Sequence, residues 1–134
     1  MDWDNLIWPA TVLMANLTDD TTFHDQQQTF LAKWLCTTSN IQFTKKGRSY
    51  NLLDPSLPQT MNAAMLAMLY GDMITPSTNP VQAVKYNNNN LATRYKCWAE
   101  GQARYILGDE TQSYVVGYGT NYPTHVQVGC EGVG

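Results

Sequence analysis

The chain has 134 residues, a length that suits one domain spanning 1–134. Charged residues make up 14% and the net charge is −3, so no basic field exists to attract phosphate backbones, and nucleic acid is excluded as a partner. No apolar run approaches the roughly 20 residues needed to span a bilayer, which excludes a membrane-spanning helix.

Four helical segments are predicted from periodicity. The first runs from about Asp4 to Leu17, with Leu6, Ile7, Ala10, Leu13, Met14 and Leu17 as apolar positions. Pro9 lacks a backbone donor and crowds the preceding turn, so the helix begins near Pro9 or kinks there. The second runs from about Thr22 to Leu35. Thr22 is read as its N-terminal cap, and Asp25 suits the positive helix end. Phe23, Gln27, Phe30 and Trp34 share one face, widened by Leu31 and Leu35. A short turn joins the two helices as an αα-hairpin.

Thr37 to Gln42 and Thr44 to Asn51 read as polar, turn-rich connections. The third helix spans about Pro58 to Asp72. Its main stripe is Met61, Ala64, Met65, Met68 and Leu69, read as core, and Ala63, Leu66 and Ala67 make most of the remainder apolar. Such a helix requires neighbours on nearly all sides. Asn87 to Asn90 reads as a solvated tract. The fourth helix spans about Leu91 to Leu107, with Asn90 as N-cap and Gly108 just past its end. Leu91, Tyr95, Trp98, Gln102, Tyr105 and Ile106 line one face. Trp34, Trp98, Tyr95 and Tyr105 are read as core. Ser113 to Gly119 is β-prone and glycine-punctuated, an extended segment leading into a loop.

Cys36, Cys97 and Cys130 fit no zinc spacing, and an odd count leaves at least one unpaired, so no metal or cofactor is expected and the disulfide state stays open. Asn16-Leu17-Thr18 is a glycosylation triplet. Met1 is followed by neither a basic start nor an apolar stretch, so no secretory signal is read.

Three collinear stretches, opening on Trp3-Asp4-Asn5, on Phe30-Leu-Ala-Lys-Trp-Leu35 and on Gly101-Gln-Ala-Arg-Tyr-Ile-Leu-Gly-Asp109, resemble family 9 glycoside hydrolases, the fold of many endoglucanases. Trp3-Asp4-Asn5, followed by Val12-Leu-Met-Ala-Asn-Leu-Thr18, is similar to the family's Trp-Asp-Asp/Asn-Lys and the helix after it. Phe30-Leu-Ala-Lys-Trp-Leu35, Phe43-Thr-Lys-Lys-Gly47 and Asn62-Ala-Ala-Met-Leu-Ala-Met-Leu-Tyr70 form the second. The strongest is Gly101-Gln-Ala-Arg-Tyr-Ile-Leu-Gly-Asp109 with Ser113-Tyr-Val-Val-Gly-Tyr-Gly-Thr-Asn-Tyr-Pro123, close to Gln-x-x-Tyr-Ile-Leu-Gly-Asp and Ser-Tyr-Val-Val-Gly-Phe-Gly-x-Asn-x-Pro. The resemblance implies an all-α fold, part of an (α/α)6 barrel, with about four helices and an extended C-terminal segment. The apolar third helix is then an inner helix of the barrel.

Glycoside hydrolysis with inversion needs one carboxylic acid on the leaving oxygen and a carboxylate that activates water on the opposite face. In the family the base comes from an Asp-rich motif near the domain's start and the acid from a Glu near its end; neither position falls within this sequence, so no catalytic residue is assigned. The family's His-His-Arg cluster is also missing: Pro123 is followed by Thr124-His125-Val126. Its Trp-Gly-x-Leu-Arg loop reads Asp54-Pro55-Ser56-Leu57-Pro58. What the resemblance leaves is binding. Trp3 and Asp4 match cleft residues, and Tyr118, Asn121 and Tyr122 lie in the family's cleft-side loop, where aromatic rings pack on the C–H faces of sugars. The implied ligand is a β-glucan or cello-oligosaccharide. Two readings follow: a segment of an endo-β-1,4-glucanase that is inactive in isolation, or a non-catalytic carbohydrate-binding or protein-interaction module derived from that fold. An incomplete barrel exposes inner-helix flanks, so an oligomer or complex is expected. The family is usually secreted; the compartment of this chain stays open.

Overall fold

A computed structural model of the chain describes residues 6–18, 20–53, 57–75, 88–109 and 112–124. Among these, helices α1 (Ile7–Leu17) and α2 (Thr21–Leu35) precede a hairpin of β1 (Ile41–Phe43) and β2 (Ser49–Asn51). Helices α3 (Leu57–Met73) and α4 (Asn89–Leu107) follow. The protein is therefore mostly helical, as a piece of a helical barrel requires.

Helix α1 contains no charged residue. Its first intrahelical bond is Ala10 N–H to Leu6 O at 3.0 Å. Pro9 thus lies in the opening turn, where a missing donor costs nothing and no kink results. At the start of α2 the cap is Asp20, not Thr22: its carboxylate accepts from Thr22 N at 2.8 Å. A carboxylate in that place satisfies an orphan amide and also complements the helix dipole. His24, Gln27, Phe30, Leu31 and Trp34 form the buried face of α2.

The polar stretch between α2 and α3 hides a small antiparallel ladder. Ile41 faces Asn51, Gln42 faces Tyr50 and Phe43 faces Ser49. Gly47 closes the turn at φ +90°, a conformation that favours glycine, with Gly47 N–H bonded to Thr44 O at 3.0 Å.

Helix α3 buries a different stripe from the one its sequence suggests. Thr60, Ala63, Ala64, Leu66, Ala67 and Tyr70 face inward, whereas Met65 is 54% exposed and Leu69 50%. Small residues let the neighbouring elements approach, and the bulky methionines are left on the outer flank. At Gly71 the helices α3 and α4 are tightly apposed: an added Cβ would stand 3.1 Å from Lys96 Cγ and 3.2 Å from Ala92 O of α4. Asp72 and Lys96 bridge the same two helices at 2.7 Å.

Helix α4 starts two residues earlier than Asn90 would place it as a cap. Asn88 is the cap, accepting from Leu91 N at 3.0 Å, so Asn89 and Asn90, exposed as a solvated tract would be, lie in the first helical turn rather than in a loop. Gly108 ends the helix at φ +97°, with Gly108 N–H and Asp109 N–H both directed to Arg104 O. This is a Schellman-type stop. The segment 112–124 then leads into a loop through bends and turns rather than as a strand. Its return is fixed by Tyr114 N–H to Ile106 O at 2.9 Å.

The core joins all four helices and the hairpin through Val12, Phe30, Leu31, Trp34, Ile41, Leu66, Tyr70 and Tyr95. Trp34 and Tyr95 are enclosed as expected; Trp98 and Tyr105 are only half-buried. No helix among the described residues is long and apolar enough to cross a membrane.

Candidate functional site

Two buried polar clusters hold the elements in register. In the first, Ser49 is fully enclosed. Its N–H donates to Gln102 Oε1 at 2.8 Å, its carbonyl accepts from Thr60 Oγ1 at 2.8 Å, and its hydroxyl accepts from Trp98 Nε1 at 3.0 Å. Gln102 also donates to Gly47 O at 3.1 Å. Hairpin, α3 and α4 are thereby locked at one point. In the second, the Tyr70 hydroxyl meets His24 Nδ1 and receives a bond from Gln28 Nε2, each at 3.0 Å, joining α3 to α2. Gln27, one turn along α2, is fully buried, and neither of its amide atoms has a partner among the described residues.

The loop that carries three of the sequence-predicted site residues has its own anchor, at Ser113 and Tyr114. Ser113 is fully buried, and its Oγ accepts from Val115 N at 3.0 Å. Tyr105 and Tyr114 stack with centroids 6.1 Å apart and planes 14° from parallel. A hydrogen bond to Tyr105, then burial, pushes the Tyr114 phenol above its usual range. From this anchor the chain turns at Gly117 (φ +74°) and Gly119 (φ +78°). Asn121 takes φ +56°, a left-handed conformation that asparagine tolerates better than most residues. Tyr118 and Tyr122, 52% and 46% exposed, present their rings to solvent on either side of that bend. Trp3 and Asp4, the other two predicted contacts, lie outside the described residues, as do His125, Cys130 and Asp54.

A groove of about 300 Å³ runs between α4 and the hairpin turn, lined by Lys46, Trp98, Arg104, Tyr105 and Asp109 among others. Among the described residues that line it, Asp109 is the one carboxylate, 3.8 Å from Arg104. Arg104 is also paired with Glu100 at 2.7 Å. Asp72 is paired with Lys96, and Asp20 caps α2. No group of three or more His, Cys, Asp or Glu side chains among the described residues could hold a metal ion. Cys36 and Cys97 are free and exposed.

Sequence reasoning missed the hairpin and the Ser49 cluster. The one signal was Gln102 standing in an otherwise apolar stripe, as Gln27 does on α2.

The description "Glycosyl hydrolase family 9" matches residues 1–129. The chain is 31% identical over 133 residues to Endoglucanase 4 of Bacillus sp. (strain KSM-522), covering 93% of this chain and 19% of that protein. It is 30% identical to Endoglucanase A of Bacillus pumilus, covering 93% and 18%. A 75-residue stretch is 45% identical to Endoglucanase 24 of Oryza sativa subsp. japonica, covering 53% and 14%. The chain thus spans about a fifth of the length of the first two relatives. No solved structure matches it.

Proposed function

The chain belongs to glycosyl hydrolase family 9, and on that premise we propose that it is a segment of an endo-β-1,4-glucanase fold that contributes part of a β-glucan cleft and does not cleave glycosidic bonds by itself. Its sugar contacts are Tyr118, Asn121 and Tyr122, together with Trp3 and Asp4. The observation that carries the reading is the division between ring platforms and carboxylates. Tyr118 and Tyr122 stand exposed on a loop whose backbone is anchored by Ser113 and Tyr114. An exposed phenol ring beside amide groups suits a pyranose, whose C–H face is apolar and whose hydroxyls need polar partners. Four of the five described carboxylates serve the fold instead: Asp20 caps a helix, Asp72 pairs with Lys96, and Glu100 and Asp109 share Arg104, while Asp25 stands exposed on α2. Inversion requires two carboxyl groups facing each other across the scissile bond, roughly 6.5–9.5 Å apart, and the described lining of the α4 groove has one. Purified chain incubated with carboxymethylcellulose should release no reducing ends above a mock purification; clear release would overturn the proposal.

A second reading, a protein-interaction module, is favoured by the apolar flanks of α1 and α3. Leu6, Leu13 and Leu17 are 74%, 60% and 76% exposed, and Met65 and Leu69 about half. Surfaces of this kind are covered in stable proteins. Sedimentation decides: an oligomer supports this reading, and a cooperative monomer removes it.

A further inference from the structure

Asn16-Leu17-Thr18 is the one place in the sequence where an asparagine is followed two positions on by serine or threonine. Such a triplet takes a glycan only where the amide is open to solvent, and the hydroxyl must be able to turn toward the amide it serves. In the middle of a helix it cannot: residues two positions apart stand about 200° apart around the axis. The structure removes that obstacle. Helix α1 ends at Leu17, and Thr18 has already left it for extended backbone, at φ −117° and ψ 152°. Its hydroxyl donates to Met14 O at 2.7 Å, an exposed bond at the last turn rather than a core contact. Asn16 is itself exposed, and so are Leu17 and Leu13, the neighbour one turn back. The triplet therefore stands at the open end of α1, just ahead of Asp20, which caps α2. Asn40, Asn89 and Asn90 are exposed too, but none is followed by the required hydroxyl.

The surroundings of Asn16 give such a modification a physical use. Helix α1 carries no charged residue, yet Ile7, Leu13 and Leu17 face solvent. A hydrated oligosaccharide supplies there the solvation that the helix's own side chains lack. We propose that Asn16 is an acceptor for N-linked glycosylation, taking a preassembled oligosaccharide from a lipid-pyrophosphate donor. Asn16 Nδ2 bonds to the anomeric carbon of the sugar, and the bond from that carbon to the pyrophosphate oxygen breaks. The lipid pyrophosphate leaves with the electron pair, and the amide releases one proton. The attached sugar covers the C-terminal half of the α1 flank, which leaves the α3 flank at Met65 and Leu69 as the surface open to a protein partner. Asn16 lies on a different element from Tyr118 and Tyr122, so the site stands whether or not their loop binds a glucan.

The test is expression of the full chain behind a cleavable secretory leader in a eukaryotic host. The product should migrate as a heavier species that peptide-N-glycosidase returns to the mobility of the unmodified chain, and peptide mass mapping should place the sugar on Asn16. Asn16→Gln and Thr18→Ala should each abolish the shift, whereas Thr18→Ser, which keeps the hydroxyl, should retain it. None of these changes enters the core, so the helical circular dichroism of each variant should match the parent's. If the chain is not secreted, translation in the presence of microsomes reads the same shift. A translocated parent that stays unmodified would overturn the assignment, and so would a shift that survives Asn16→Gln. Hydrolysis of carboxymethylcellulose would remove the proposed inactivity and leave this site untouched.

Discussion

Trp98 on α4 donates its indole N–H to the hydroxyl of Ser49 on β2 over 3.0 Å, a link between residues 49 positions apart. Ser49 has no exposed surface, so the polar groups around it have no water to turn to if one partner is lost.

Gln102→Leu keeps the volume of the side chain and deletes both of its bonds, to Ser49 N and Gly47 O. A buried amide is then left without an acceptor, at a cost of about 1–3 kcal/mol. The urea midpoint should fall accordingly, and the Ser49 amide should exchange faster than in the parent. An unchanged midpoint would remove the claim that this cluster locks the hairpin.

Gln27 predicts the opposite sign. Its amide is fully enclosed and unpartnered among the described residues, so Gln27→Met should stabilise the fold by about 1–3 kcal/mol, the penalty for burying an unsatisfied amide. Thermal denaturation of the two proteins side by side checks this.

Burial holds the Tyr95 phenol above its usual 10.0, against the smaller opposing pull of Arg94. Below that value both folded and unfolded chains keep the proton and the contribution is complete. Above it the unfolded chain ionises first, the native state carries more protons, and stability declines as pH rises towards the folded value. Tyr95→Phe should therefore lessen the loss of stability between about pH 9 and about pH 11. Tyr114 is raised as well, but it is present in both proteins and drops out of the comparison. Equal alkaline slopes would sink the assignment.

At Gly108 a Cβ would come within 2.5 Å of Ser113 N and 2.8 Å of Ser113 Cα. These are backbone atoms and cannot rotate aside. Gly108→Ala adds to that clash the left-handed penalty of about 1–2 kcal/mol. It should lower the melting temperature and loosen the loop that bears Tyr118 and Tyr122, visible as faster exchange at the Tyr114 amide.

Met65→Glu/Leu69→Lys alters the exposed flank of α3 without entering the core. If that flank is an association surface, the double variant should sediment as a smaller species than the parent, with thermal stability of the subunit unchanged. Identical sedimentation would discharge α3 from that role.

The helices were legible because α1, α2 and α4 carry the 3.6-residue pattern over several turns and α3 is a long apolar run without strand punctuation. Their ends were less so: Asp20 and Thr22, or Asn88 and Asn90, are equally good caps by composition, and only the bonds formed distinguish them. The packed face of α3 was unreadable for a definite reason. A helix apolar on nearly every side gives periodicity no contrast, so Met65 and Leu69 look as suited to the interior as Leu66 and Ala67. The hairpin escaped notice because three-residue strands are too short to show alternation. Its pairing depends on Gln102 and Thr60, far away in sequence. Of the predicted sugar contacts, Tyr118, Asn121 and Tyr122 were placed on a single loop by motif alone, whereas the Ser49 cluster needed β2, α3 and α4 brought together.

The enclosure of Ser49 also acts as a ruler for strand alignment. Were β2 to slide by one position, Arg48 or Tyr50 would arrive where only a hydroxymethyl group fits, facing Thr60, Trp98 and Gln102. Neither side chain can be accommodated without parting α3 from α4. Misregistered hairpins are thus rejected by volume as well as by backbone pairing, and any enlargement at position 49 should part the elements that meet there.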